Sequence, residues 1–200
     1  WEEQQKAVEA LTGILTTKPS IIQSECRTIW MNLLDIIVSP RTMLSNAALG
    51  LAEELFMQFS QQLVSQTPLF VDICFNLSCN SRQFIADGAT NILVLIAQES
   101  PRNKVLNSYI KGTKHKNPIA RAKASQCLSI MIDQSDLEYN EFKQILTCLT
   151  PLIRDNRTET RAAAKEALKK IINDERFGET AKQVSFTTQD YKELMKFVQS

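Results

Sequence analysis

Arginines recur at fixed intervals in this chain, each in a short polar break ahead of an apolar helical stretch. Arg41, Arg82 and Arg157 stand seven residues before Ala48, Ala89 and Ala164, and Arg121 and Arg161 stand three residues before Ala124 and Ala164. A guanidinium is planar and permanently charged, and it carries five donors. Its chemistry is the paired recognition of carboxylates, not bond making. The breaks read Ser39-Pro40-Arg41-Thr42, Asn80-Ser81-Arg82-Gln83, Lys114-His115-Lys116-Asn117-Pro118 and Arg154-Asp155-Asn156-Arg157. Trp1 stands ahead of the first helical stretch. An aromatic followed by a line of cations suits a flat acidic partner. Each member also has a plainer reading. An arginine at a helix start is often only solvated, and Trp1 could be a buried staple for the first helix. The shared offsets favour recognition. His115 is the only histidine, and no role is assigned to it.

Bond-making chemistry lacks its parts. There is no cluster at metal-ligand spacing, no Gly-rich phosphate loop and no nucleophile beside a base. The expectation is therefore a binding module and not an enzyme, with no catalytic residue, cofactor, metal or small-molecule substrate. The five cysteines, Cys26, Cys74, Cys79, Cys127 and Cys148, form no C-x-x-C pair and sit among apolar neighbours. They read as small buried hydrophobes in a reducing compartment, which argues against use of the glycosylation patterns at Asn76 and Asn156. No signal peptide and no membrane-spanning run is legible. The chain opens on Trp1 inside what reads as a helix start, as a fragment cut from a longer protein would.

The net charge is +1, unevenly spread: residues 1–100 hold five Lys/Arg against ten Asp/Glu, and residues 101–200 hold eighteen against twelve. Between 101 and 125 there are seven basic residues and no acid. A basic surface in the second half, with an acidic partner, follows.

The elements that must position these residues form a repeat. Counting from Ala7, Ala48, Ala89, Ala124 and Ala164, all five copies are apolar or small at offsets 0, 3, 4, 7 and 8. That spacing is one face of an α-helix. Second apolar helices are predicted over 20–37, 62–77, 102–112, 138–153 and 188–199. Helix pairs with a period near 40 predict an all-α fold, an α-solenoid of about five HEAT-type antiparallel helix pairs. It is read as one domain over 1–200, with a capping segment at 174–200 and a polar connection over 174–187. The rival is an irregular helical bundle, which the fivefold register argues against.

These residues resemble a TOG domain, the tubulin-binding HEAT array of the XMAP215, CLASP and Crescerin families. The resemblance covers residues 1–173. It rests on Trp1-Glu-Glu-Gln-Gln-Lys-Ala7-Val8, on Ser39-Pro40-Arg41-Thr42, on Lys116-Asn117-Pro118 with Arg121, and on Asp155 to Arg161 leading into Ala162-Ala163-Ala164. Gln4 departs from the basic residue usual in the family, and the second and third loops are thin in cations. The string around Arg157 looks most like the CLASP and Crescerin branch. The resemblance implies binding of the αβ-tubulin dimer or the microtubule lattice through Trp1, Arg41, Arg82, Lys116, Asn117, Arg121, Arg157 and Arg161. Trp1 would anchor on β-tubulin, with the later loops toward α-tubulin. It implies a monomeric module of a multi-domain microtubule regulator in the cytoplasm and cytoskeleton, with a ciliary axoneme as one setting. Membrane binding is not implied. The alternative is a HEAT scaffold for a peptide or helix. Nucleic-acid binding through 101–125 is disfavoured, because Tyr109 is its one interleaved aromatic.

Overall fold

Why five copies of the same apolar pattern become helices and not strands is plain from their 3.6-residue period and the scarcity of internal Gly and Pro. A computed structural model describes residues 1–134, 137–184 and 186–199. Among them the chain forms eleven α-helices, two short 3-10 segments and no strand. The all-α, HEAT-type class expected from the repeat is the class observed. The chain packs as two units, Trp1–Val105 and Leu106–Ser200.

In the first unit, α1 (Glu2–Thr17), α3 (Thr42–Leu63) and α5 (Gln83–Glu99) are the first helices of their pairs, and α2 (Cys26–Ile37) and α4 (Thr67–Leu77) are second helices. First helix packs on first helix, α1 on α3 and α3 on α5, while α2 packs on α3 and α4 on α5. Trp30 of α2 lies 3.8 Å from the Phe70 ring of α4 and 5.5 Å from that of Phe56 in α3. All three are fully buried, so one aromatic cluster joins three helices.

The second unit takes in the end of α6 (Arg102–Gly112), then α7 (Pro118–Gln134), α8 (Tyr139–Leu149) and α9 (Thr158–Lys169). Pro151 shortens α8 and turns residues Thr150–Arg154 into a 3-10 segment. Again first helix packs on first helix, α7 on α9. The terminal helix α11 (Thr188–Gln199) packs on α9 and on the 3-10 segment. Its start is a reciprocal cap: Asp190 accepts from the Thr187 backbone N–H at 2.8 Å, and the Asp190 N–H donates to the Thr187 hydroxyl at 3.2 Å. Arg154 ties that cap to the 3-10 segment, 2.5 Å from Asp190.

Four expectations need correction. The second helix expected over 20–37 starts only at Cys26, because Pro19–Ile21 is spent in a 3-10 turn. The helix expected from 62 starts at Thr67, because α3 runs on past a kink at Phe59 to the buried Leu63. The expected connection 174–187 contains a helix, α10 (Phe177–Gln183), which buries Phe177 and Ala181. Arg176 pins it, donating to the Leu137 carbonyl at 2.6 Å and lying 4.9 Å over the Phe142 ring. Finally, the apolar face holds in copies two to five but is rotated in the first. There Val8 and Leu15 are buried while Ala7 and Ala10 are exposed. Among the other elements α1 packs on α3 and on its own 3-10 turn, so a narrow stripe suffices.

That rotation is checked by comparing Ala7→Leu with Ala89→Leu in urea unfolding. Overpacking at the fully buried Ala89 costs about 1–3 kcal/mol, and the exposed Ala7 stays within about 0.5 kcal/mol of the parent. An equal loss at both would restore the uniform register.

Candidate functional site

The loops entering α3, α5, α7 and α9 share one turn. A side chain nine residues before the repeat's zero position accepts the backbone N–H two residues on. The pairs are Ser39 with Arg41 at 3.2 Å, Asn80 with Arg82 at 2.9 Å, His115 Nδ1 with Asn117 at 3.1 Å, and Asp155 with Arg157 at 3.0 Å. Such turns satisfy the donor just outside a helix start. His115, which carried no expectation, therefore occupies the turn position filled elsewhere by Ser, Asn and Asp. Asn117, expected at the interface, uses its own side-chain oxygen to accept the Ile119 N–H at 2.9 Å. It builds the loop.

The turn holds Arg41, Arg82 and Arg157 as extended residues immediately before their helices. All three are exposed, as is Lys116. Arg157 makes a loose pair with Glu159 at 3.5 Å. Arg41 leans over Trp1, 5.6 Å from the ring centroid. Trp1 itself is 59% exposed, so it is not a buried staple. The cation over its face contributes about 0.5–1 kcal/mol to holding it.

The arginines at the second offset behave differently. Arg121 reaches across to Asp155, with Nε to Oδ2 at 2.7 Å and Nη2 to Oδ1 at 3.0 Å. It also donates to the His115 carbonyl at 2.8 Å. Arg161 makes the equivalent contact one repeat later, donating to the Asp155 carbonyl at 2.8 Å and to the Thr158 hydroxyl at 3.0 Å. In α3 the same position is Ser45, which donates to the Ile37 carbonyl at 2.6 Å. Burial pushes the Asp155 carboxyl up. Hydrogen bonds from Arg121 and the Arg157 backbone N–H, with the charges of Arg121 and Arg161, outweigh it and hold the carboxyl below its ordinary value. Thr160 adds a second tie, donating to the Pro118 carbonyl at 3.0 Å. Arg121 and Arg161 are thus spent inside the second unit: Arg121 joins the loop before α7 to the loop before α9, and Arg161 braces the loop before α9 against the start of its own helix.

Sequence reasoning missed an apolar series on the same helix starts. Met43, Phe84 and Ile119 are 73%, 46% and 44% exposed. Each stands five residues before its zero position. The signal was legible as an apolar residue off the core face of an otherwise amphipathic helix. In the fifth copy that place is Glu159. Ile119 and Arg157 line a groove of about 340 Å³ between the starts of α7 and α9.

Among the described residues no group of three or more His, Cys, Asp or Glu gathers to hold a metal. Burial pushes the thiols of Cys74, Cys127 and Cys148 up to about 12, so they stay protonated and inert. No described helix is long and apolar enough to cross a membrane.

Known proteins share the frame that carries these helix starts. The family described as CLASP N terminal matches residues 1–189. A solved chain, described under the structural basis of microtubule plus-end tracking by XMAP215, CLIP-170 and EB1, superposes with a TM-score of 0.75 at 15% identity. The match covers 98% of this chain and 83% of that one, and it is a likeness of fold. An engineered protein aligns at 16% identity over 96% of this chain and 95% of its own, with a TM-score of 0.45, too loose to carry an argument. No curated protein matches the chain.

The Asp155 pair gives a pH-dependent prediction. Because the folded carboxyl titrates below its ordinary value, its contribution is present above about pH 4 and fades as pH falls through the folded value. Asp155→Asn leaves the Arg121 charge without a carboxylate at 16% exposure, its bond to the His115 carbonyl remaining, and costs about 2–3 kcal/mol at neutral pH. In urea unfolding the gap between parent and variant narrows on going from pH 7 to pH 3. A gap that does not move with pH would assign the loss to something other than the ion pair.

Proposed function

Because this chain belongs to the CLASP N-terminal family and is a microtubule-associated TOG-like domain of the cytoskeleton, we propose that it docks the αβ-tubulin dimer through its helix starts. The carrying observation is the exposed apolar residue beside an exposed cation at successive helix starts. Trp1 and Met43 flank Arg41, and Phe84 follows Arg82, in the first unit. Ile119 follows Lys116 in the second. Apolar side chains left exposed in this way mark partner contact.

The work divides by residue. Trp1 is the anchor, with Met43 and Phe84 beside it. Buried aromatic anchors set residence time. Lys116, Arg82, Arg41 and Arg157 supply steering and salt dependence, each with about 0–1 kcal/mol of affinity. Asn117, Arg121 and Arg161 act as positioning residues that hold the loops carrying Lys116 and Arg157. No bond is made or broken, and the domain is a binding module. A module of this strength gains from linkage to others in one chain, where tethering raises the effective concentration. A multi-domain regulator of microtubule dynamics in the cytoplasm is the setting this suits.

The test is co-migration with purified αβ-tubulin on a sizing column at low salt. The parent forms a complex. Trp1→Ala weakens it by about tenfold or more. Lys116→Glu with Arg157→Glu abolishes it while leaving the urea midpoint in place, since both side chains are exposed. Arg121→Ala loses stability as well as binding. Charge reversals that leave the complex intact would refute the reading.

A further inference from the structure

A second surface lies away from the helix starts, wholly within the second unit. One face of α6 and the chain just after it (Asn107, Ile110, Thr113, Lys114) lies opposite one face of α8 and its 3-10 extension, from Asn140 to Pro151. They enclose a groove of about 470 Å³, within the range of specific binding clefts. From residue 140 to 151 the wall runs ~16 Å at 1.5 Å per residue, the length of about five residues of extended chain.

The lining has three chemical parts. Ile110, Cys148 and Pro151 are apolar. Asn107, Asn140 and Gln144 are exposed amides, each offering a donor and an acceptor to a peptide backbone. Lys114 and Lys143 are its two charges, and it contains no carboxylate. Lys143 donates to the neutral Gln183 amide at 3.0 Å, so its charge is not cancelled there. The acids at the start of α8, Glu138 and Glu141, are engaged in a reciprocal capping box. The Cys148 thiol, held up at about 12 by burial, makes the groove one for binding and not for covalent capture.

We propose that this groove binds an extended acidic segment of a partner protein, with one apolar side chain seated between Ile110, Cys148 and Pro151. Charge complementarity chooses the occupant: the lining combines two ammonium groups with apolar side chains and amides, and it holds no carboxylate. A basic or nucleic-acid-like ligand does not fit, the first because of the lysines and the second because no aromatic is there for bases to stack on. The inference rests on the second unit alone and is independent of tubulin docking.

The test is fluorescence anisotropy of a fluorescein-labelled glutamate-rich peptide with one central leucine, titrated with the whole chain at low salt. Saturable binding is expected. Lys114→Ala with Lys143→Ala weakens it by about fivefold or more, as the loss of two rim charges should. Thr147→Trp, which fills the groove from an exposed position without changing charge, weakens it to a similar extent. Gln144→Trp takes its place should that variant fail to fold. Lys165→Ala with Lys169→Ala on α9 removes the same charge elsewhere and leaves binding within about twofold. Absence of saturable binding, equal binding of a lysine-rich peptide, equal loss in the α9 control, or full binding by the tryptophan variants would each overturn the proposal.

Discussion

Ala48, Ala89, Ala124 and Ala164 are all fully buried, at the zero position of their first helices. A methyl group there lets neighbouring axes approach toward the short end of the usual 8–10 Å range. A longer side chain would push them apart and break the packing on both sides. In each unit, first helix packs on first helix, with the alanine of α3, α5, α7 and α9 buried. Equal positions in successive copies then fall into equal surroundings. Positions counted from zero inherit that regularity: the acceptor at nine before in copies two to five, the exposed arginine at seven before in copies two, three and five, the exposed apolar side chain at five before in copies two to four and the donor at three before in copies two, four and five.

The arginines show what this regularity does to one residue type. At seven before zero, the preceding turn ties down the arginine's N–H and leaves the side chain outside the helix. At three before zero, the same guanidinium lies back over the loop it follows and finds carbonyls waiting. Arg121 to the His115 carbonyl and Arg161 to the Asp155 carbonyl are the same contact made twice, both at 2.8 Å. One offset serves the outside and the other serves the fold. The bidentate Arg121–Asp155 pair has side chains 16% and 6% exposed. It belongs to the partly buried class, whose loss is costly because a charge is stranded.

Much of this was legible in the sequence, and the failures have physical causes. Fold class and four of the five core faces followed from periodicity, because a buried helix face repeats in every residue that makes it. The first face did not, because α1 packs on fewer elements and Val8 with Leu15 can serve where Ala7 and Ala10 were expected. Helix ends slipped at Pro19 and around Thr67, where local turns outweigh an apolar pattern that continues through them. At the helix starts, the spacing identified the arginines but could not sort them, since the sorting depends on Asp155, one repeat away from Arg121. His115 was unreadable alone: its role appears only beside Ser39, Asn80 and Asp155, whose side chains share the acceptor function and not the shape. Met43, Phe84 and Ile119 were open to inspection, but counting along the core face passes over residues that lie off it.

The helix starts also break a local rule in one direction. Helix N-termini carry a partial positive charge, and acids in the first turn usually offset it, each contributing about 0.3–1 kcal/mol. The helices α3, α5 and α7 have no acid in the first turn, and Arg121 adds a further positive charge in that of α7. Each of these starts also exposes a large apolar side chain where a soluble helix gains nothing from one. The helices α2 and α4 also lack an acid in the first turn, so the exposed apolar side chain is the departure that calls for a reason at these starts. At α7 the Asn117 side chain already accepts the Ile119 N–H, so what the three starts share is an arginine or lysine in the loop ahead and an exposed apolar residue one step inside the helix. Where an acid does return, at Glu159 in α9, the apolar residue at that offset is gone as well. The start of α1 combines the two differently, with Glu2 and Glu3 in its first turn beside the exposed Trp1.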